Sequence, residues 1–227
     1  MRLLRRTLRL PSESDFSALA LFPDIDGALY LDVGANRGQS ADSILLTQKR
    51  ARLHLFEPNA MLYEKLRSLF GGDARVAIDN FGLGDETVQG VLVVPFYKRW
   101  MFDGLGSFNE QGARDWLKGR IYFYRDRCLT LRRIASDIRR LDELELDPFF
   151  IKLDIQGFEY RALKGAEQTI RRCRPVIMIE SADQRVVDFL RGFGYQYYAF
   201  KHGRFIAGVK GDTNTFFMTE ERRRLVA

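Results

Sequence analysis

The stretch Leu29–Tyr30–Leu31–Asp32–Val33–Gly34–Ala35–Asn36–Arg37–Gly38–Gln39 constrains this chain more than any other. An apolar run from Ala28 to Leu31 ends in an acid, a loop with two glycines follows at once, and Ser40 to Leu46 has helical spacing. That order predicts the strand–loop–helix opening of a nucleotide-binding α/β sheet. The glycines let backbone pass close to a ligand, and the helix start offers unpaired N–H groups. Spacing then narrows the ligand. A dinucleotide loop G-x-G-x-x-G beginning at Gly34 needs glycine at 36 and 39, where Asn36 and Gln39 stand. The pattern present is D-x-G-x-N-x-G, and an acid at the strand end suits a ligand with an ammonium group and a ribose. S-adenosylmethionine is that ligand, held by Asp32, Gly34, Asn36 and Gly38.

The rest of the chain repeats the alternation. Strands are predicted at Ala28–Asp32, Arg52–Phe56, Arg75–Ile78, Phe149–Asp154 and Pro175–Glu180, with helices following the first, second, fourth and fifth. Asn59 is placed to cap the second helix, and Gly71–Gly72 to end it. Val88–Phe96 reads as a further strand, and Arg132–Leu146 as a charged helix broken at Pro148. Phe158, Ala162, Ala166 and Ile170 mark one face of a single helix. Tyr195–Phe200 and Arg204–Val209 form a hairpin at the C-terminal edge, with Thr213–Met218 as one more candidate strand. The fold class expected is therefore α/β and Rossmann-like: a mostly parallel sheet with an antiparallel edge hairpin. The whole of 1–227 reads as one domain, with 1–27 as a basic, partly helical extension. Residues 97–127, aperiodic and rich in glycine and aromatics, read as a lid or acceptor loop.

Composition bounds the setting. Net charge is +6, but 36 basic residues are mixed with 30 acids and no aromatic-interleaved basic stripe or nucleic-acid motif is present, so no nucleic-acid partner is expected. No apolar run approaches the roughly 20 residues of a membrane span. Arg2, Arg5, Arg6 and Arg9 interrupt any signal-peptide core. Cys128 and Cys173 give neither a disulfide framework nor metal-ligand spacing, which fits a reducing, cytoplasmic location. Met1–Leu10 alternates arginine with leucine; it reads as a loose or partner-packed terminus, or as a short helix touching an anionic membrane surface.

Acids at the carboxyl ends of strands are the residues of interest, since ligands bind there in such sheets. Glu57 follows the second strand and is placed to accept both ribose hydroxyls. Asn80 follows the third, where an amide can read an adenine edge or simply make a turn. Lys152 and Asp154 flank Leu153 and so share one side of a strand end. Asp154, Glu159 and Glu180 are the catalytic candidates, expected to converge at the mouth of the sheet and deprotonate an alcohol, directly or through a divalent cation. The competing reading has Asp154 and Glu159 only tying the loop. His54 reads as a packed strand residue and His202 as an exposed turn residue. Trp100, Phe102 and Trp116 are placed either to stack on a sugar or to hold the 97–127 loop down.

Five segments together resemble the FkbM family of methyltransferases over residues 28–217. They are Asp32–Gln39, Phe56–Asn59, Asn80–Asp85, Phe150–Glu159 with Leu163–Glu167 behind it, and Arg174–Glu180. The resemblance implies a class I S-adenosylmethionine-dependent fold and O-methylation, commonly of sugar or polyketide hydroxyls. The chain departs from the family at Thr130–Leu131–Arg132, where many relatives carry Thr–Leu–Asp. The expected function is methyl transfer to a hydroxyl of a carbohydrate or glycolipid. The alternatives are another small molecule such as a polyketide, a nucleic acid, or a non-catalytic cofactor-binding module.

Overall fold

The computed structural model describes residues 13–102, 106–108, 111 and 122–226. The expectations for Met1–Leu10 and Trp116 lie outside them.

Strand β1 (Leu29–Val33) is buried along its whole length, as is β8 (Pro148–Leu153), and the two sit side by side at the centre of an eight-stranded sheet. Continuous apolar runs suit this position, since a central parallel strand is covered on both faces. On one side of β1 lie β2 (Arg52–Phe56) and then β3 (Val76–Asp79), both parallel. Beyond β8 lies β9 (Val176–Glu180), also parallel. Next comes β12 (Asn214–Met218), antiparallel between β9 and β10 (Gln196–Lys201), and β11 (Arg204–Ala207) closes that edge as the hairpin partner of β10. The parallel sheet and the edge hairpin agree with the sequence reading; the last strand is inserted inside the sheet rather than added outside it.

Helices cover both faces and two apolar cores result. Helix α1 (Gln39–Thr47) and α2 (Ala60–Phe70) follow β1 and β2, and Asn59 does cap α2, its side chain accepting from Met61 N at 3.1 Å. The single helix expected behind β8 is two: α3 (Glu159–Lys164) and α4 (Glu167–Cys173). The break has a physical cause. Gly165 lies against the Gly84 carbonyl, where a Cβ would come within 1.8 Å, and the Asp142 carboxylate accepts from Gln168 N and Thr169 N to begin α4 afresh. Helix α5 (Gln184–Arg191) follows β9, and α6 (Glu220–Arg223) follows β12. The segment before β1 is part of the domain: a 3-10 helix at Ser14–Leu21 buries Phe16 and Leu19, and Gln48 donates to the Leu19 carbonyl at 2.6 Å. Among the described residues no helix is long and apolar enough to cross a membrane.

One expectation fails outright. Arg132–Leu146 is not a helix; β7 (Leu129–Arg139) pairs antiparallel with β5 (Val88–Tyr97) over ten positions. With β4 (Gly82–Leu83) and β6 (Trp100–Met101) these form a second, four-stranded sheet, the arm, tied to the first where Ser136 donates to the Pro58 carbonyl at 3.1 Å. The many arginines of β7 suit a helix locally. A ten-residue ladder to β5 outweighs that preference, as tertiary pairing commonly does for weak propensities.

Candidate active site

Glycine loop, Glu57, the end of β8 and the arm enclose one cleft at the carboxyl ends of the central strands. Its walls include Gly34, Asn36, Glu57 and Asp154 from the sheet, and Leu92, Ser107 and Phe108 from the arm. Four of the nine residues singled out in the sequence therefore line the same space.

The loop is held by backbone. Gly34 N and Ala35 N both donate to the Phe56 carbonyl, at 3.0 and 3.2 Å, and Asp154 N donates to the Val33 carbonyl at 3.1 Å. Gly34 has φ +82°, and a Cβ there would come within 2.0 Å of the Asp154 carbonyl oxygen, so only glycine fits. Gly38, at φ +80°, precedes α1 and lies behind the cleft against Phe70. Asn36 faces the cleft with φ +49°, and its Oδ1 is buried yet takes no hydrogen bond.

Glu57 is 5% exposed and fixed at both oxygens, accepting from Asn36 N at 2.8 Å and Asn59 N at 2.9 Å. Burial pushes its carboxyl up to about 7; the two N–H donors favour the charged form but do not outweigh the lost hydration. Each carboxylate oxygen keeps a further acceptor position, so Glu57 retains capacity for a ligand's hydroxyls. Asn80 is not in the cleft wall. It is exposed and its amide donates to the Glu57 carbonyl at 2.8 Å, bracing the end of β2.

Asp32 is wholly buried below the loop, where Ser40 Oγ donates to it at 2.5 Å. Its other oxygen lies 3.3 Å from Lys152 Nζ, a charge contact without hydrogen-bond alignment. Lys152 is the site residue whose partner the sequence reading missed. Its ammonium also reaches Asp154 at 3.3 Å and the Gly34 carbonyl at 3.4 Å, joining β1, the loop and β8 in one charged cluster. Burial alone would lower the lysine, but Asp32 and Asp154 hold it above its ordinary range. The signal was present: an acid and a lysine at buried positions of neighbouring central strands must find each other, because neither charge is tolerated alone there.

Asp154 and Glu180 make a hydrogen-bonded carboxyl–carboxylate pair, clamped by Gln156, whose amide donates to Asp154 at 2.9 Å and to Glu180 at 3.1 Å. Glu180 is pushed up to about 8 by that bond with Asp154, by burial and by the charge of Asp154. Asp154 moves the other way: burial would raise it, but Lys152 and the hydrogen bonds from Glu180 and Gln156 hold it below the usual range. At neutral pH the pair thus carries one proton, on Glu180. Glu159 does not reach this pair. It accepts from Ile155 N at 3.0 Å and Gly157 N at 3.2 Å, tying the turn after β8. That is the loop-tying role weighed against catalysis.

The remaining candidates lie elsewhere. His54 stacks on Phe56 with ring centres 4.4 Å apart and meets Asp79 at 2.8 Å, as a packed strand residue should. His202 sits in the β10–β11 turn with φ +53°. Arg132 lies with its guanidinium over the Phe96 ring at 4.4 Å. Phe102 packs with Tyr97, while Trp100 is 67% exposed at the arm tip. The donors do not assemble a metal centre: among the described residues no three His, Cys, Asp or Glu side chains come together as one. The organic cofactor fares better, for the glycine cradle, the unpaired Asn36 Oδ1 and the carboxylate of Glu57 suit a cationic, ribose-bearing ligand.

One solved structure, compared over most of this chain, has the same fold. The methyltransferase FkbM of Methylobacillus flagellatus superposes with a TM-score of 0.54 at 19% identity, covering 85% of this chain and 44% of that one. An rRNA methylase from Streptococcus thermophilus matches with a TM-score of 0.48 at 10% identity, covering 92% of this chain and 96% of its own. A TehB-like SAM-dependent methyltransferase from Corynebacterium glutamicum matches with 0.46 at 12%, over 96% and 92%. This chain thus spans less than half the length of the first of these structures. No curated protein matches it in sequence. The methyltransferase FkbM domain matches residues 32–197, most of the chain, including the glycine loop, Glu57, Asp154 and Glu180. This chain belongs to the FkbM methyltransferase family.

Proposed function

We propose that the protein is an S-adenosylmethionine-dependent O-methyltransferase acting on a hydroxyl of a carbohydrate or glycolipid. One observation carries the reading: the only ionised member of the Asp154–Glu180 pair opens into the same cleft as the glycine loop and Glu57. Bound there, S-adenosylmethionine supplies a methyl group on a positively charged sulfur. Gly34 and Asn36 form the cradle for its amino-acid end, Asp32 and Gly38 hold that loop in shape, Glu57 takes the ribose and Asn80 steadies Glu57 from behind.

Asp154 is the proton acceptor. With the cofactor bound, it would take the proton that the acceptor hydroxyl gives up as its oxygen receives the methyl group, the sulfur of the cofactor being the leaving group. Lys152 keeps Asp154 ionised beforehand, so no prior deprotonation is needed, although the same charge makes Asp154 a weaker base. Glu180 and Gln156 fix the orientation of the carboxylate, and Glu159 fixes the turn that carries Gln156. Gly106, Ser107 and Phe108 close the opposite wall and would face the acceptor. A sugar hydroxyl suits a cleft that is polar along Asp154 and Gln156 and flat along Phe108 and Phe158.

The test combines cofactor binding with product analysis. S-adenosylhomocysteine should bind by calorimetry, and candidate glycans with labelled cofactor should gain one methyl by mass spectrometry. Asp154→Asn should leave that binding little changed while turnover falls by about 10² to 10⁴, the usual worth of general-base help. Turnover near wild type would remove Asp154 as the base and leave Glu180 to be tested. If chelation by EDTA abolished activity and magnesium restored it, direct proton acceptance would be wrong.

A further inference from the structure

The tip of the arm carries more exposed aromatic surface than its own packing uses. Tyr97, Phe102, Tyr124, Cys128 and Leu129 form a small core there, with Tyr97 and Tyr124 stacked at 5.4 Å. Outside that core stand Trp100 at 67%, Tyr122 at 94% and Phe123 at 90% exposure, the three most exposed large apolar side chains described. They share one end of the molecule: Trp100 pairs with Tyr97 across β5–β6, and Tyr122 and Phe123 directly precede the Tyr124 that stacks on Tyr97. Large exposed rings gathered at one end of a sheet mark an interaction surface.

Charge says which kind. Lys98, Arg99, Arg125 and Arg127 surround the rings, Arg132 and Arg133 follow on β7, and Asp126 is the single acid among residues 97–102 and 122–133. Lys98, Arg99, Arg125 and Arg127 are exposed and make no ion pair among the described residues; Arg99 lies over the Trp100 ring at 5.8 Å. Amphipathic rings with basic neighbours match the boundary of an anionic bilayer, where tryptophan and tyrosine settle at headgroup level and each lysine or arginine is attracted. A single-stranded nucleic acid would want a basic groove to follow, and none of these cations lines the cleft described above.

We propose that the arm tip docks the protein on an anionic lipid surface. Leu92 in the cleft wall and Tyr97 at the tip are five residues apart on β5, so the cleft would stand about 17 Å from the bilayer at the usual strand rise. That distance suits an acceptor presented above the membrane, but the docking proposal stands without the glycolipid reading and is tested without any acceptor.

The experiment is sedimentation of the full chain with vesicles of phosphatidylcholine containing phosphatidylglycerol, against pure phosphatidylcholine. Wild type should pellet with the anionic vesicles only, and salt should weaken it. Substituting Trp100→Ser, Tyr122→Ser and Phe123→Ser together, or Lys98→Glu with Arg99→Glu, should each reduce partitioning by roughly tenfold or more. Both variants should keep wild-type thermal unfolding and S-adenosylhomocysteine affinity, since none of these residues lines the cleft. In a Trp116→Phe background, Trp100 emission should shift to shorter wavelength on adding anionic vesicles. Four results would overturn the proposal: no pelleting at any anionic content, pelleting unchanged in both variants, tighter binding to single-stranded RNA than to vesicles, or a ring-dependent dimer that ignores lipid.

Discussion

The two walls of the cleft are made in opposite ways. The cofactor part of the sheet wall comes from residues close in sequence: Gly34, Asn36 and Glu57 lie on one strand–loop–helix–strand unit, backbone bonds to Phe56 fix the loop, and only Asp154 is brought in from afar. The arm wall depends on residues far apart, because β5 and β7 pair across everything from 98 to 128. The sheet wall tolerates almost no change, since its spacing is set by main chain against main chain. In the arm wall Leu92 sits on the β5–β7 ladder, while Ser107 joins the rest through its bridge to Val93 and its side-chain bond to the Gln156 carbonyl. A site of this kind keeps its cofactor half rigid and leaves its other half free to vary.

The comparison is most easily broken at Gly34. Gly34→Ala puts a methyl group within about 2 Å of the Asp154 carbonyl and forces a left-handed conformation on alanine. Strain and displacement together should cost about 3 kcal/mol or more. The prediction is a fall in thermal stability together with loss of measurable S-adenosylhomocysteine binding by calorimetry. A variant that binds normally would mean the loop is not the rigid element described.

This difference also explains what the sequence disclosed. Asp32–Gln39 was legible because its chemistry is local: an acid, two glycines and a helix start at fixed spacing. Asn59 as a cap and Glu57 at a strand end were legible for the same reason. The arm was not. Leu129 to Arg139 carries three arginines among eleven residues, and its strand state rests on a partner some forty residues earlier. Glu159 and Asn80 were placed correctly on their elements, yet which backbone groups their side chains meet depends on turns no spacing rule specifies. Lys152 stood beside Asp154 in plain view, but its contact with Asp32 needed the β1–β8 register.

Glu57 should have the next largest effect. Glu57→Gln keeps the shape but removes the acceptor charge, so S-adenosylhomocysteine affinity should fall by roughly tenfold to a hundredfold, the range for a hydrogen bond to a charged group. Unchanged affinity would remove Glu57 from the ribose.

The pH dependence sharpens the same point. Glu57 rises from an ordinary 4.5 to about 7 and Glu180 to about 8. Both bind a proton more tightly folded than unfolded, so their stabilising contribution is full below 4.5 and is lost as pH rises through 7 and 8. The melting temperature should therefore decline from pH 6 to pH 9, and Glu180→Gln should flatten the upper part of that decline. Cofactor affinity should run the other way: if the ionised Glu57 binds the ribose, affinity should gain roughly tenfold between pH 6 and pH 8, with Glu57→Gln insensitive. A melting temperature that rose over this range would contradict the assigned directions.

The smallest effect is the one that separates the two walls most cleanly. Ser107 donates to the Gln156 carbonyl at 3.0 Å, a bond that runs from the arm to the turn after β8. Ser107→Ala removes it, and a neutral bond of this kind contributes about 1 kcal/mol, so the arm segment should open several times more often. Hydrogen exchange at Val93 and Ser107 should quicken accordingly, while exchange in β1 and β8 stays as in wild type. Acceptor KM should rise a few fold. Cofactor affinity should not move, because Gly34, Asn36 and Glu57 take none of their support from Ser107. Equal losses in cofactor and acceptor binding would show the walls to be one cooperative unit, and the division between a rigid half and an adaptable half would have to be given up.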